Sequence, residues 1–224
     1  MRLLSEILHI IISFIQDRKL YANGICFDKT RNYRINQLYN IYYIFINRIK
    51  YSKFKTSFKK NNLKFSNNNK HARNVEASPL LRLNKLLKSL NTQFINFNFL
   101  DIGSGQGVCL HFVIKNYNFK SYSGLEFNEF LVDISKKNLE PLKKKFDIIH
   151  GDASNFVIMD KKYIIYLYNP FDEIILNKFL ENNLNLLNKN ECIIIYQNNF
   201  YTTSLKKLSK NEIRIEDGLS VYYF

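Results

Sequence analysis

Apolar runs of strand length alternate with segments of helical spacing along the C-terminal two thirds of the chain. The strand-like runs cover residues 94–101, 119–125, 146–150, 163–168 and 192–197, and the helix-like segments cover 107–116, 128–139 and 173–188. Strands that alternate with helices predict a parallel sheet covered by helices on both faces. Two short β-like runs flank Asp217-Gly218, a dipeptide typical of hairpin turns. The pattern therefore predicts an α/β fold whose sheet ends in an antiparallel element.

Two further helical patterns lie in the N-terminal part of the chain. Apolar residues at helical spacing over residues 4–15 predict an amphipathic helix, and residues 33–48 predict a second helix rich in aromatic side chains. The first pattern is too short to span a membrane and lacks the small-residue cleavage site of a secretory signal. We expect it to dock on the core of the protein; attachment to a membrane surface is the alternative.

A polar run over residues 61–70 predicts a linker between these helices and the rest of the chain. Beyond it, Ser78 and Pro79 predict the start of another helix, with Ser78 as the N-cap and Pro79 at the first helical position. The chain is therefore predicted to consist of a basic, aromatic-rich helical extension over residues 1–72 and a main domain over residues 73–224.

The net charge of +14 is concentrated in one segment. Of the 33 lysines and arginines, 12 lie between Lys29 and Val75, where there is no acidic residue, and the other 21 nearly balance 19 acidic residues. Within this basic segment, aromatic residues and lysines interleave over residues 50–60, as in surfaces that stack on bases and track phosphates. Aromatic side chains packed beneath lysines give the same pattern. We expect an anionic partner, nucleic acid or a membrane surface; the alternative is a solvated segment that only aids solubility.

The three cysteines, Cys26, Cys109 and Cys192, are far apart and have no spacing typical of a zinc site. Cys109 and Cys192 lie within apolar runs and are predicted to be small buried hydrophobic residues. Such thiols are typical of a reducing compartment, so we expect a cytoplasmic protein without a bound metal.

A glycine loop follows the first strand-like run, and the rest of the main domain is arranged around it. Glycines at 103, 105 and 107 predict a turn with positive φ before a helix, which would place bare backbone N–H groups beside a ligand. Dinucleotide folds use the spacing Gly-x-Gly-x-x-Gly, whereas here Val108 stands at the third position. Asp101 precedes the loop and would repel a pyrophosphate but attract an ammonium group. These features favour S-adenosylmethionine (SAM) over NAD as the cofactor.

Two acidic residues follow the next two strands. Glu126 lies 19 residues after Gly107, where an acid can accept both hydroxyls of a ribose. Asp152 follows the third strand and can accept from an adenine amino group, while the N–H of Ala153 can reach a ring nitrogen. The alternative for Glu126 is a surface residue at a strand end, and for Asp152 a turn residue that bonds to its own backbone.

The fourth feature is the sequence Asn169-Pro170-Phe171-Asp172, at the end of a fully apolar strand. The side-chain carbonyl of Asn169 and the carbonyl of Pro170 can hold an amine by its N–H groups and aim its lone pair at a methyl group. Phe171 is expected to form a wall or a stacking face, and Asp172 to cap the following helix. The alternative is that Asn-Pro only interrupts the chain between two elements.

Together these features resemble the class I SAM-dependent methyltransferase family over about residues 76–224. The resemblance implies a Rossmann-like three-layer α/β/α sandwich, with a mostly parallel seven-stranded sheet whose last strand is antiparallel. It implies that the cofactor is SAM and that the acceptor site is lined by Asn169, Pro170 and Phe171. The positions expected to hold the cofactor are Asp101, Gly103, Ser104, Gly105, Gly107, Glu126, Asp152 and Ala153.

The fourth motif also resembles the Asn-Pro-Pro-Tyr/Phe of amino-group methyltransferases that act on adenine or glutamine, although one proline is missing. It is similar as well to motifs of non-SET protein-lysine methyltransferases and of small bacterial methyltransferases with Asn-Pro-Phe, which imply no substrate. We therefore expect methyl transfer to a nitrogen on a macromolecule, nucleic acid or protein. The alternatives are a small-molecule or glycan-associated methyltransferase and a non-catalytic SAM- or nucleotide-binding module.

Overall fold

The computed structural model describes residues 31–50, 78–90, 92–216 and 218–224. The helix predicted over residues 4–15, residues 51–60 of the lysine and aromatic run, the linker over 61–70 and Cys26 lie outside the described residues.

Seven strands and six α-helices form the described part of the chain. The helices are α1 (Arg31–Lys50), α2 (Leu80–Ser89), α3 (Val108–Asn116), α4 (Glu129–Leu139), α5 (Glu173–Lys189) and α6 (Thr203–Leu208). The strands are β1 (Asn98–Ile102), β2 (Ser121–Glu126), β3 (Asp147–His150), β4 (Tyr163–Tyr168), β5 (Ile193–Gln197), β6 (Asn211–Glu216) and β7 (Leu219–Tyr223). Short 3-10 helices cover Phe94–Asn96, Glu140–Leu142 and Ala153–Asn155.

All seven strands join one sheet in the order β3-β2-β1-β4-β5-β7-β6. Neighbouring strands from β3 to β5 pair in parallel, and β7 runs antiparallel to both β5 and β6. Gly218, at the turn between β6 and β7, has a φ of +73°. The structure confirms the predicted mostly parallel seven-stranded sheet with an antiparallel last strand.

The apolar strands of the sheet are buried on both faces. Along β4, Ile164 and Tyr166 join a core cluster beneath α1 to α4, whereas Ile165 and Leu167 join a second cluster beneath α5 and α6. Because alternate side chains of a strand point to opposite faces, a continuous apolar run is what a doubly covered strand requires. The three-layer sandwich is confirmed.

Two local expectations are wrong. The first strand begins at Asn98, and the residues before it form a 3-10 helix in which the Phe94 ring packs against Tyr117 and Phe119. Ser78 does not cap α2 and Pro79 is not its first helical residue, because the helix begins at Leu80 and Pro79 itself occupies the N-cap position. Asn40 of α1 supplies the cap instead.

The cap that Asn40 supplies ties α1 to the main domain. Its Oδ1 accepts from the N–H of Leu80 at 3.1 Å, and its Nδ2 donates to the carbonyl of Ser78 at 2.8 Å. On the same side of α1, Tyr43 is buried in the core and its hydroxyl lies 2.8 Å from Nδ1 of His111. The helix predicted over residues 33–48 is confirmed and packs on the main domain. No helix in the described part of the chain is long and apolar enough to cross a membrane.

Candidate functional site

The four predicted motifs meet at one edge of the sheet. β1 to β4 run parallel. The glycine loop follows β1, Glu126 is the last residue of β2, Asp152 comes shortly after β3, and Asn169 follows β4. In open parallel sheets, ligands bind outside the carboxyl ends of the strands. The structure therefore places all four motifs at one edge of the sheet.

The glycine loop is shaped by three residues with positive φ and by its neighbours. Gly103, Gly105 and Gly107 have φ values of +77°, +54° and +75°. A Cβ atom on Gly103 would lie 2.4 Å from Cβ of Pro170, and one on Gly107 would lie 2.3 Å from Oγ of Ser135. The glycine loop and the Asn-Pro-Phe motif are thus in direct contact, which only glycine at position 103 allows.

The expectation of bare backbone N–H groups in this loop is wrong. The N–H groups of Gly103 and Ser104 both donate to the carbonyl of Leu125, at 2.8 and 3.1 Å. The N–H of Gly105 donates to Oε2 of Glu126 at 2.8 Å. These bonds form because the end of β2 lies directly beside the loop. With its N–H groups satisfied and acids beside it, the loop is poorly suited to bind a pyrophosphate.

Ser104 sits inside this turn. Its carbonyl accepts from the N–H of Gly107 at 2.9 Å, and its Oγ is buried with no hydrogen-bond partner among the described residues. A Cβ on Gly124 of β2 would lie 2.7 Å from that Oγ, so a glycine at 124 makes room for the loop. The role of Ser104 toward a cofactor stays a prediction.

Asp101 is a fully buried acid at the end of β1. Its Oδ2 has no hydrogen-bond partner within the described ranges. Burial raises the pKa of Asp101 to about 7, a bond with the Cys109 thiol opposes the rise, and the nearby charge of Glu126 adds to it. A buried carboxylate is costly unless a cation or a donor satisfies it. An ammonium group fits this position.

Glu126 is also buried, but its carboxylate is held by backbone N–H groups. Its Oε2 accepts from Gly105 and its Oε1 from Asn128, at 2.8 and 2.9 Å. Burial raises the pKa of Glu126, and these bonds oppose the rise. Since each carboxylate oxygen can accept a second hydrogen bond, the group is fixed in place and can still accept from two hydroxyls. This geometry is compatible with the predicted ribose contact.

Asp152 bonds to its own turn, which was the alternative to an adenine contact. Its Oδ1 accepts from the N–H of Ser154 at 2.8 Å and caps the 3-10 helix Ala153–Asn155. The preceding Gly151 donates its N–H to the carbonyl of Glu126 at 3.0 Å, which fixes this turn beside the predicted ribose position. The adenine contacts predicted for Asp152 and Ala153 stay predictions.

At the end of β4, Asn169 has a φ of +41° and is buried. The hydroxyl of Tyr196 donates to its Oδ1 at a long 3.4 Å, so this oxygen can accept a further bond. Phe171 is only 8% exposed and belongs to the core cluster beneath α5, so little of its ring is available for the predicted stacking face. Asp172 caps α5 as predicted, accepting from the N–H of Ile175 at 3.3 Å.

Sequence reasoning missed two residues of this edge. Tyr166 and Gln197 read as parts of apolar strands, yet the hydroxyl of Tyr166 donates to Oε1 of Gln197 at 2.8 Å. Gln197 is fully buried, and its Nε2 has no partner in the part of the chain that the structure describes. A polar residue that ends an apolar strand at the ligand edge was the available signal.

No protein-family model matches the chain, and no curated protein matches it. Solved structures do match. The chain is similar to the pyocyanin biosynthetic protein PhzM with a TM-score of 0.50 and 16% identity, over 62% of this chain and 53% of PhzM. The chain has the fold of class I SAM-dependent methyltransferases. The match spans about half of PhzM, so the likeness concerns the fold.

Two further similar structures are weaker matches. M. capricolum TrmK, in complex with S-adenosyl-homocysteine (SAH), matches at 19% identity over 63% of this chain and 66% of TrmK, with a TM-score of 0.44. The methyltransferase domain of bacterial CtHen1 matches at 16% identity over 65% of this chain and 97% of that domain, with a TM-score of 0.46.

Proposed function

We propose that this chain is a SAM-dependent methyltransferase that transfers the methyl group to a nitrogen of a macromolecule. The observation that carries the proposal is Asp101, whose buried Oδ2 lacks a partner among the described residues beside a loop whose own N–H groups are largely satisfied. An edge with two buried acids suits a ligand with an ammonium group and hydroxyls rather than one with phosphates.

The cofactor positions follow from this edge. Asp101 would accept from the ammonium group and Glu126 from the ribose hydroxyls, with the glycine loop beneath them and Asp152 and Ala153 by the base. When bound, SAM supplies a methyl group that is already activated on a sulfonium. The residues of the chain therefore have to bind, orient and exclude water.

The acceptor would be held at the end of β4. Oδ1 of Asn169 and the carbonyl of Pro170 would accept from the N–H groups of an amine and direct its lone pair. Because Pro170 packs on Gly103, the acceptor position is fixed relative to the cofactor loop. Such fixed proximity can lower the barrier by several kcal/mol, on the order of the effective molarities measured for well-oriented reactions. A neutral amine needs no strong base. His150, the histidine at this edge, is not assigned as one, since its Nε2 lies 2.9 Å from the carbonyl of Phe127.

For the macromolecule, we propose nucleic acid first and protein second, held by the basic segment over residues 29–75. Its charge supports this assignment. The buried free thiols of Cys109 and Cys192 suit a reducing compartment, and we propose the cytoplasm as its location. If the basic segment binds RNA or DNA, affinity must fall steeply with added salt; a flat response would remove nucleic acid from the proposal.

The experiment that tests the function has two parts. Calorimetric titration with SAM should give saturable heat, and none would reject both enzyme hypotheses. Incubation with methyl-labelled SAM and fractionated cell extract should then place the label in RNA, DNA or protein. Label in small molecules or glycans would favour a small-molecule or glycan-associated methyltransferase, and binding without any transfer would favour a non-catalytic module.

A further inference from the structure

A buried phenol lies beneath the Asn-Pro-Phe motif. Tyr196, close to the carboxyl end of β5, pairs with Leu167 of β4 on one side and with Ser220 of β7 on the other. Tyr196 and Leu167 belong to the core cluster beneath α5 and α6, and the tyrosine is only 2% exposed. A ring packed into such a core has few other positions available to it. Its hydroxyl is therefore a fixed point at this edge of the sheet.

The hydroxyl reaches the side chain of Asn169, two residues beyond Leu167 in the chain. It donates to Oδ1 of Asn169 at 3.4 Å, and both residues are buried. In an apolar surrounding, a fixed donor that holds the oxygen of an amide also fixes which way the amide is turned. A carbonyl oxygen can accept two hydrogen bonds, so the phenol leaves one acceptor position of Oδ1 for another group.

The backbone of Asn169 is constrained separately from its side chain. Its φ of +41° lies in the left-handed region, which asparagine tolerates better than most other residues with a side chain. The next residue, Pro170, packs so closely on Gly103 that a Cβ there would lie 2.4 Å from the Cβ of Pro170. Sparsely populated backbone conformations that neighbouring groups hold in place are typical of functional sites. Two separate constraints on one side chain suit a group that orients a ligand.

We propose that Tyr196 is a positioning residue for methyl transfer, because it holds Oδ1 of Asn169 in the orientation that binds the acceptor amine. Since the phenol is buried in the core, it would act on the acceptor through Asn169. The contribution is to the geometry of attack, and small errors in that geometry slow a reaction between two bound groups. The inference rests on the proposed function, which takes Asn169 as a contact of the acceptor.

Tyr196→Phe tests the proposal, because it removes the hydroxyl and keeps the ring. Transfer of label from SAM to the fraction that the wild type methylates should slow about threefold to tenfold, as for one lost neutral hydrogen bond, while SAH affinity by calorimetry stays within about twofold. Tyr222→Phe is the matched control. Tyr222 is a buried tyrosine in the same core cluster and pairs with Ile194, two residues before Tyr196 on β5, so its loss should change neither quantity.

A double variant separates positioning from a general structural role. In an Asn169→Ala background, Tyr196→Phe should cause no further loss of transfer, because the group that the phenol orients is already gone. Additive losses, unchanged transfer in Tyr196→Phe, or an equal loss in Tyr222→Phe would overturn the assignment of Tyr196 and leave the proposed function intact. A wild-type chain that transfers label to no fraction would reject the proposed function itself, and the assignment with it.

Discussion

The ends of β1 and β2 each carry a buried acid, and the two acids are in opposite states. Glu126 accepts from two backbone N–H groups, at 2.8 and 2.9 Å. Asp101 has an oxygen that no described residue satisfies, and burial raises its pKa to about 7. A held carboxylate serves to orient neutral hydroxyls, whereas an unsatisfied one serves to meet a positive charge. Under the proposed function, the two acids would therefore contact different parts of one ligand.

The largest expected effect is on SAH affinity. Asp101→Asn keeps the shape of the side chain but removes its charge, so SAH should bind about 10- to 100-fold more weakly, the loss of one charged hydrogen bond of roughly 1.5–3 kcal/mol. Glu126→Gln should also weaken SAH, because an amide N–H replaces one acceptor. Calorimetry measures both. Unchanged affinity in Asp101→Asn would remove the ammonium contact.

The same two variants should differ in stability. At pH 8, Asp101→Asn should leave the free energy of unfolding unchanged or raise it. Because the folded pKa lies above the unfolded value of 3.8, this acid stabilises the fold only at low pH, and its contribution is lost as the pH rises through about 7. Glu126→Gln should lower the free energy of unfolding by about 1–3 kcal/mol, since an amide N–H would face a backbone N–H. Urea unfolding measures both, and a loss of similar size in the two variants would contradict the distinction.

A smaller effect is expected from pH. Asp101 must be ionised to bind an ammonium group, so SAH affinity should fall roughly tenfold from pH 8 to pH 6, as expected for one group with a pKa of about 7. Asp101→Asn should remove most of this dependence. A wild-type affinity that is constant from pH 8 to pH 6 would show that Asp101 does not contact the ligand.

The smallest change in SAH affinity is expected at the end of β4. Asn169→Ala removes the proposed acceptor contact and no cofactor contact, so SAH affinity should stay within twofold. Label transfer from SAM to the fraction that the wild type methylates should fall about tenfold or more, since the amine loses one of its two orienting bonds. Unchanged transfer would remove Asn169 from the acceptor site.

The arrangement of the motifs could be predicted because the carboxyl ends of parallel strands meet at one edge. The alternation of strands and helices, the position of Asp101 and the cap at Asp172 all depend on neighbours close in the chain. The satisfied N–H groups of Gly103 and Ser104 could not be predicted, because they depend on where Leu125 of the adjacent strand lies.

Contacts between distant parts of the chain account for the other differences. Asn40 caps a helix 40 residues away, and no local signal marks it. The hydrogen bond from the Tyr166 hydroxyl to Oε1 of Gln197 could not be predicted either, because it joins two strands that are 31 residues apart in the chain.

One titration tests the acid-lined edge as a SAM site most directly. The wild-type chain at pH 8 is titrated in parallel with SAM and with NAD, which share an adenosine but differ in having an ammonium group or a pyrophosphate. Saturable binding of SAM with no heat from NAD is the expected result. Binding of NAD, or of neither ligand, would contradict the assignment of Asp101 and Glu126 to an aminoacyl nucleoside.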